Sequence, residues 1–277
     1  MPHLLLMEGN PAKVRRKAES INVRSASDVY AHAIKAHFPD IEMSIIYAAD
    51  KDAALPEGMS YEDFDGMVIS GSSLRAFDET FAVQNQIKIL KEFCETGKPV
   101  LGSCWGLQIA AIAAGGTVAA SPNGREIGFA RKITLTEEGK THPYMKGKPT
   151  AFDAPCIHYD EVSALPSSAT LLCSNKHSLV QGAIIPIGKS EVWAVQYHPE
   201  FDLEQLSMLF RLYKKDLLTQ GFFDKEEDVN AYQALIDAAA TNPNSKSHAW
   251  QLGVDEDILV PENRRAEIIN WIKHQIL

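Results

Sequence analysis

The sequence predicts an α/β fold: a central, mostly parallel sheet flanked by helices, followed by a helical C-terminal extension. Three observations predict it. Short apolar runs alternate with helix-periodic segments over the first two-thirds of the chain. One of these runs ends in a glycine-flanked turn that opens directly into a helix. Beyond about residue 220 the composition turns acidic and the pattern becomes helical.

The elements follow in order. His3–Met7 is apolar and bounded by Gly9-Asn10-Pro11, as a first buried strand should be. Ser25–Phe38 carries Val29, Ala33, Ile34 and Ala36 at helical spacing, with Ser27 or Asp28 as the expected N-cap. Ile41–Tyr47 and Gly66–Ser70 read as the second and third strands. Thr80–Thr96 places Val83, Ile87, Leu90 and Phe93 on one face and stops at Gly97, a helix with a C-terminal glycine. Pro99–Gly102 is a short buried strand leading into a small-residue helix, Trp105–Ala114. Strand–helix alternation of this kind needs a parallel sheet covered on both faces. From about 128 to 198 the runs shorten and become β-like: Phe129–Thr136, Thr150–Phe152, Thr170–Ser174, Ala183–Pro186 and Val192–Tyr197. Glu204–Thr219 returns to a helix.

The tail is different. Val229–Ala240 is expected to be helical, Thr241–Ser247 a polar linker, and Pro261–Ile276 an amphipathic helix. Residues 221–277 hold ten acidic and five basic side chains, so −5 of the chain's net −9 lies there. The division expected is a domain at 1–220 and a helical extension at 221–277. That extension either packs on its own domain, forms a homo-oligomer interface or caps the active-site edge, with Trp250 and Trp271 as anchors.

Composition excludes several classes. At 277 residues, 45% hydrophobic and 23% charged, the chain is neither disordered nor fibrous. A net charge of −9 disfavours a nucleic-acid partner, because binding through phosphates requires a basic protein surface. The longest apolar run, near Ile109–Ala114, is far short of the roughly 18 residues of a membrane span, so no membrane partner is expected. Leu4-Leu5-Leu6 before Glu8 is too short for a signal-peptide core. Cys94, Cys104, Cys156 and Cys173 lack metal-type spacing, and the expected setting is reducing and cytoplasmic.

Two motifs carry chemistry. Gly102-Ser103-Cys104-Trp105-Gly106 sits where a buried strand ends and a helix begins. A nucleophile on so sharp a turn projects from the carboxyl edge of the sheet, and flanking glycines let strand and helix approach. The helix N-terminus also favours thiolate over thiol. The second motif is His198-Pro199-Glu200, after a strand-like segment. A thiol nucleophile needs a base that later returns its proton, and the histidine needs an acceptor to fix its tautomer. Cysteine and histidine are 94 residues apart, but both fall at predicted strand ends, where parallel sheets bind ligands.

With Leu107-Gln108-Ile109-Ala110 after the first motif and Gln196-Tyr197 before the second, the sequence resembles the class I, triad-type glutamine amidotransferases. The likeness spans roughly residues 3–220 and is nearest the glutaminase domain of GMP synthases and their stand-alone relatives. Glu126-Ile127-Gly128 and His158-Tyr159-Asp160-Glu161-Val162 agree with it. The resemblance implies a flavodoxin-like sheet, Cys104 as nucleophile, His198 as general base and then acid, and Glu200 as its orienter. It implies an oxyanion hole from the backbone N–H groups of Ser72 and Trp105. Gly71, Gln108, His158, Tyr159 and Asp160 would hold the substrate. One departure stands out: the common family form has a second glycine where this chain has Ser72. The other three cysteines are assigned to packing.

The implied reaction is cleavage of the γ-glutamyl amide of glutamine through a thioester, with no metal or cofactor. No phosphate-binding GxxxxGK[ST], no GxGxxG and no SGGxDS loop occurs, so ammonia would go to a separate synthetase subunit. A second reading is a γ-glutamyl peptidase or transferase acting on peptides or γ-glutamylated amines. In that case the basic loop Lys13–Arg24 would meet an acidic substrate or partner. A third is a non-catalytic binding or regulatory protein on this fold.

Overall fold

In the computed structural model, which describes residues 1–277, β1 (His3–Met7) opens the chain with Leu4, Leu5, Leu6 and Met7 all buried. It is followed by α1 (Ala12–Glu19), α2 (Ala26–Lys35), β2 (Glu42–Ile46), β3 (Gly66–Ile69), α3 (Phe81–Cys94), β4 (Val100–Ser103) and α4 (Trp105–Ala113). Then come β5 (Thr117–Ala120), β6 (Glu126–Leu135), α5 (Glu137–Thr141), β7 (Ala151–His158), β8 (Asp160–Ala164), β9 (Thr170–Ser174), β10 (Gly182–Ile187) and β11 (Ser190–Val195). The chain finishes with α6 (Leu203–Leu212), α7 (Lys214–Thr219), α8 (Glu226–Thr241), α9 (Lys246–Leu252), α10 (Glu256–Leu259), α11 (Pro261–Arg264), α12 (Ala266–Trp271) and a π-turn at Ile272–Ile276.

Nine strands form one sheet in the order β2-β1-β3-β4-β11-β10-β9-β6-β7, while β5 and β8 pair in a separate ribbon. The first five are parallel. From β11 outward every pairing is antiparallel, so the sheet is mixed. Strand alternation sorts its residues onto two faces. Leu5, Met7, Met67 and Ile69 pack under α3 and α4. Leu4, Leu6, Val68 and Leu101 pack on the other face with Tyr30, Ala33 and Ile34 of α2 and with Ile268 and Trp271 of α12. The C-terminal segment thus reaches the main core, and Trp271 is fully buried whereas Trp250 is 89% exposed. Helices α6, α8, α9 and α10 form a further apolar cluster on Phe129 of β6.

Several local expectations are corrected. The N-cap of α2 is Ser25, whose hydroxyl accepts from the Asp28 N–H at 3.1 Å, because the helix starts earlier than its apolar stripe. The basic stretch after Pro11 is not a loop. It forms α1, a run of good helix formers (Lys, Arg, Ala, Glu) that buries none of its residues and so leaves no apolar signature. The expected single helix 204–219 is broken at Tyr213, and the polar linker is cut short by α9, which Ser245 caps. β5 and β8 carry no long apolar run and were not expected as strands. No helix is long and apolar enough to cross a membrane.

Candidate active site

β4 and β11 are parallel neighbours, and their register pairs Ser103 with Val195. Both strands therefore leave the sheet at the same edge, with Cys104 one residue beyond β4 and His198 three beyond β11. The Cys104 N–H donates to the Val195 carbonyl at 2.8 Å, and the His198 N–H to that of Pro155 at 2.8 Å. Sheet register closes the sequence gap of 94 residues.

Cys104 has φ +51° and ψ −95°, a conformation that side chains other than glycine adopt at a cost of about 1–3 kcal/mol. Close packing enforces it. A Cβ on Gly102 would lie 3.0 Å from Gly106 Cα, and one on Gly106 would lie 3.1 Å from the Ile69 carbonyl. Strand and helix touch backbone to backbone, and the thiol is pushed into the cleft beside the Ile157 carbonyl at 3.6 Å.

His198 is 3% exposed and held from three directions. Nδ1 meets Glu200 Oε1 at 2.6 Å, and the same oxygen accepts from Ser103 Oγ at 2.8 Å. The ring stacks on Phe201 at 3.9 Å with planes 3° apart. Gly71 lies so close that a Cβ there would sit 2.8 Å from His198 Cε1. Nε2 alone is free, a buried nitrogen with no hydrogen-bond partner. Burial on its own would lower the imidazole pKa. The Glu200 carboxylate and the nearby Cys104 outweigh it and raise the value to about 10. His198 therefore carries a proton at neutral pH.

The loop after β3 supplies a second wall. Ser70 Oγ accepts from the Gly9 N–H at 2.9 Å, and Ser73 N–H donates to Asn10 Oδ1 at 2.9 Å. Ser72 Oγ donates to the Gly9 carbonyl at 2.8 Å and accepts from the Leu74 N–H at 3.2 Å. At the position of the departure from the common family form, then, the hydroxyl is used to pin the loop. The Ser72 N–H donates to no backbone carbonyl, and Trp105 N–H belongs to the unpaired first turn of α4.

The third wall is a buried polar network. His158 Nε2 meets Glu126 Oε2 at 2.8 Å, and Nδ1 meets the Asp160 carbonyl at 3.1 Å. Asn175 and Gln181 donate to the same glutamate at 2.7 and 2.9 Å. Burial pushes the Glu126 pKa up, but His158, Asn175 and Gln181 more than offset this and hold it below the usual range. Gln108, one helical turn from Cys104, donates to the Asp160 carbonyl at 2.9 Å. Arg75 grips the Asp160 carboxylate with two hydrogen bonds, at 3.2 and 2.8 Å.

A cleft of about 530 Å³ gathers the expected residues: Gly71, Ser72, Cys104, Gln108, His158, Tyr159, Asp160 and His198 all line it. Glu200 lies behind His198, 2% exposed. His158 reaches the wall with both nitrogens engaged, and the Asp160 carboxylate is spoken for by Arg75. Sequence reasoning missed Ser103, Phe201, Arg75, Arg125 and Tyr213, whereas Arg24 ends the basic stretch Lys13–Arg24 expected to meet an acidic substrate. Ser103 stands inside the first quoted motif and Phe201 directly follows the second, but the rest join the cleft only through distant pairings such as Arg75–Asp160 at 2.8 Å. Cys94, Cys156 and Cys173 are fully buried, and burial raises all three thiol pKa values, that of Cys94 to about 12. No group of three or more His, Cys, Asp or Glu side chains is arranged to hold a metal ion.

A cysteine on a strained strand–helix elbow thus shares one cleft with a histidine–glutamate pair at the edge of the mixed sheet. The sequence matches the family "Glutamine amidotransferase class-I" over residues 26–215, and the chain belongs to that family. It is an enzyme of the glutamine amidotransferase and γ-glutamyl hydrolase group. A γ-glutamyl-L-1-hydroxyisopropylamide hydrolase from a Pseudomonas species is 29% identical over 99% of this chain and 93% of its own length. γ-Glutamyl peptidase 3 of Arabidopsis thaliana is 32% identical over 63% of this chain and 70% of its own. A glutamine-hydrolysing GMP synthase from Elusimicrobium minutum is 32% identical over 53% of this chain but only 28% of its own. A glutamine amidotransferase from Thermotoga maritima shares the fold, with TM-score 0.62 and 17% identity over 86% of this chain and 94% of that one.

Proposed function

We propose that this chain hydrolyses γ-glutamyl amides other than glutamine, working without a synthetase partner. The cleft carries this reading. Its volume of about 530 Å³ continues past Cys104 along α1 and α6, through Val14, Val23, Leu209 and Tyr213. That is the size of a pocket for a small organic molecule, and its extension past the cysteine offers room for a leaving group larger than the ammonia of glutamine. The end-to-end likeness to a γ-glutamyl amide hydrolase supports it, whereas the GMP synthase likeness stops at a quarter of that protein.

Cys104 attacks the γ-carbonyl carbon as a thiolate, its proton already held on His198 Nε2. The Ser72 and Trp105 N–H groups take up the oxyanion. The His198 Nε2 proton passes to the nitrogen of the departing amine, and the C–N bond breaks to leave a γ-glutamyl thioester. His198 then takes a proton from water as the water oxygen attacks the thioester, the C–S bond breaks, and glutamate leaves with the thiolate and the protonated His198 restored. Glu200 and Ser103 hold the imidazole in place throughout. Gly71, Gln108, Tyr159 and Asp160 line the arm of the cleft for the glutamyl group. Residues 1–220 form the catalytic domain, with 221–277 bracing it.

The test is a substrate panel on the isolated chain and on Cys104→Ala. The expected result is turnover of γ-glutamyl peptides or alkylamides well above that of glutamine, abolished in the variant. Preference for glutamine, rising sharply when a synthetase is added, would instead establish the ammonia-supplying reading.

A further inference from the structure

Four arginines line the cleft: Arg15, Arg24, Arg75 and Arg125. Three are neutralised, by Asp50 at 2.7 Å, Asp202 at 2.6 Å and Asp160 at 2.8 Å. Arg125 has no acid within ion-pair distance, and its side chain makes no hydrogen bond. Its Nε is buried and unpartnered. The neighbouring carboxylate, Glu126, is already taken by His158, Asn175 and Gln181. The guanidinium carbon lies 5.8 Å from the ring centre of Tyr159 and 5.0 Å from that of Tyr213. Two aromatic rings therefore hold the group in a partly dry site with nothing to bond.

A half-buried charge without a partner is costly, and where Arg265 is unpaired outside the cleft, Arg125 is unpaired on the cleft wall itself. A planar guanidinium with free donors matches one ligand chemistry best, a carboxylate bound through two N–H groups. We propose that Arg125 is the receptor for a substrate carboxylate and so sets which γ-glutamyl compounds are accepted. This rests on the γ-glutamyl reading above and deepens it. The carboxylate has two sources: the α-carboxylate of the glutamyl group, or one on the departing amine, as in a γ-glutamyl amino acid or peptide.

Three substrates separate them: γ-glutamylglycine, which has both carboxylates; γ-glutamylethylamide, which keeps only the glutamyl one; and γ-glutamylglycine amidated at the glutamyl α-carboxyl, which keeps only the other. Arg125→Gln is expected to raise KM about 10- to 100-fold for whichever compounds present the bound carboxylate, with a much smaller change in kcat. Losses on the first two alone assign the glutamyl carboxylate, and losses on the first and third assign the leaving group. Arg125→Lys keeps the charge without the fork and is expected to recover part of the loss. The melting temperature of Arg125→Gln should match wild type, because no internal partner is lost. An unchanged KM on all three, or an equal loss on all three, overturns the proposal while leaving the γ-glutamyl reading intact. Wild type inactive on all three would overturn the γ-glutamyl reading itself.

Discussion

His198 with Glu200 and His158 with Glu126 are two buried histidine–carboxylate pairs at the wall of one cleft, at 2.6 and 2.8 Å. Their second ring nitrogens differ. His158 Nδ1 meets a carbonyl, so both of its nitrogens face acceptors inside the fold. His198 Nε2 faces the cleft with nothing to bond, next to a cysteine held at positive φ. The carboxylates differ in the same way. Glu126 is held by three side chains, while Glu200 Oε2 is buried without a partner. A satisfied pair is a strut, and a pair with one open nitrogen is poised to move a proton.

The comparison can be broken by mutation. Cys104→Ala removes the group that His198 serves, and its activity should fall about 10⁴-fold or more at unchanged melting temperature. His198→Asn should lower kcat about 10²- to 10⁴-fold with little change in stability. Glu126→Ala should do the reverse. It strands the donors of His158, Asn175 and Gln181, costing about 2–4 kcal/mol by denaturant unfolding, while kcat in the folded fraction changes less than tenfold. Equal kinetic damage from the two histidine pairs would end the distinction.

The pairs should also fail at opposite ends of the pH scale. His198 is raised from 6.5 to about 10, so the stability it contributes is complete below its ordinary value and drains away as pH rises toward 10. Glu126 is lowered from 4.5, so its contribution is present above that value and is lost as pH falls through its folded value. Unfolding measured across pH should show a shallower alkaline decline in His198→Asn and a shallower acid decline in Glu126→Gln. In wild type the alkaline limb of kcat/KM should lie near 10, and Glu200→Gln should move it down. The smallest effect is expected at the oxyanion loop. Ser72→Gly keeps the backbone N–H and loses the hydroxyl bonds to Gly9 and Leu74, a few-fold change in kcat/KM.

How much of this was legible in the sequence follows from the range of each interaction. The elbow was readable because Gly102 and Gly106 answer a local contact between strand and helix. β1, β3 and β4 were readable because buried parallel strands are largely apolar. Of the two histidine pairs, the one spaced two residues apart announced its carboxylate. Glu126 and His158, brought together by antiparallel pairing of β6 and β7, did not. The same holds for Arg125, whose meaning depends on Tyr159 and Tyr213 arriving from other elements and on no acid arriving at all. α1 was misread because none of its residues is fully buried and its basic side chains outnumber its apolar ones.

The central claim is that Cys104, activated beside the open nitrogen of His198, carries the γ-glutamyl group. Acid quenching of the enzyme during turnover of a γ-glutamyl amide, followed by mass spectrometry of the Cys104 peptide, tests this directly. The expected result is an added γ-glutamyl mass on Cys104 that appears with substrate and is absent from Cys104→Ala. Turnover with no adduct on Cys104, or undiminished turnover in Cys104→Ala, would contradict it.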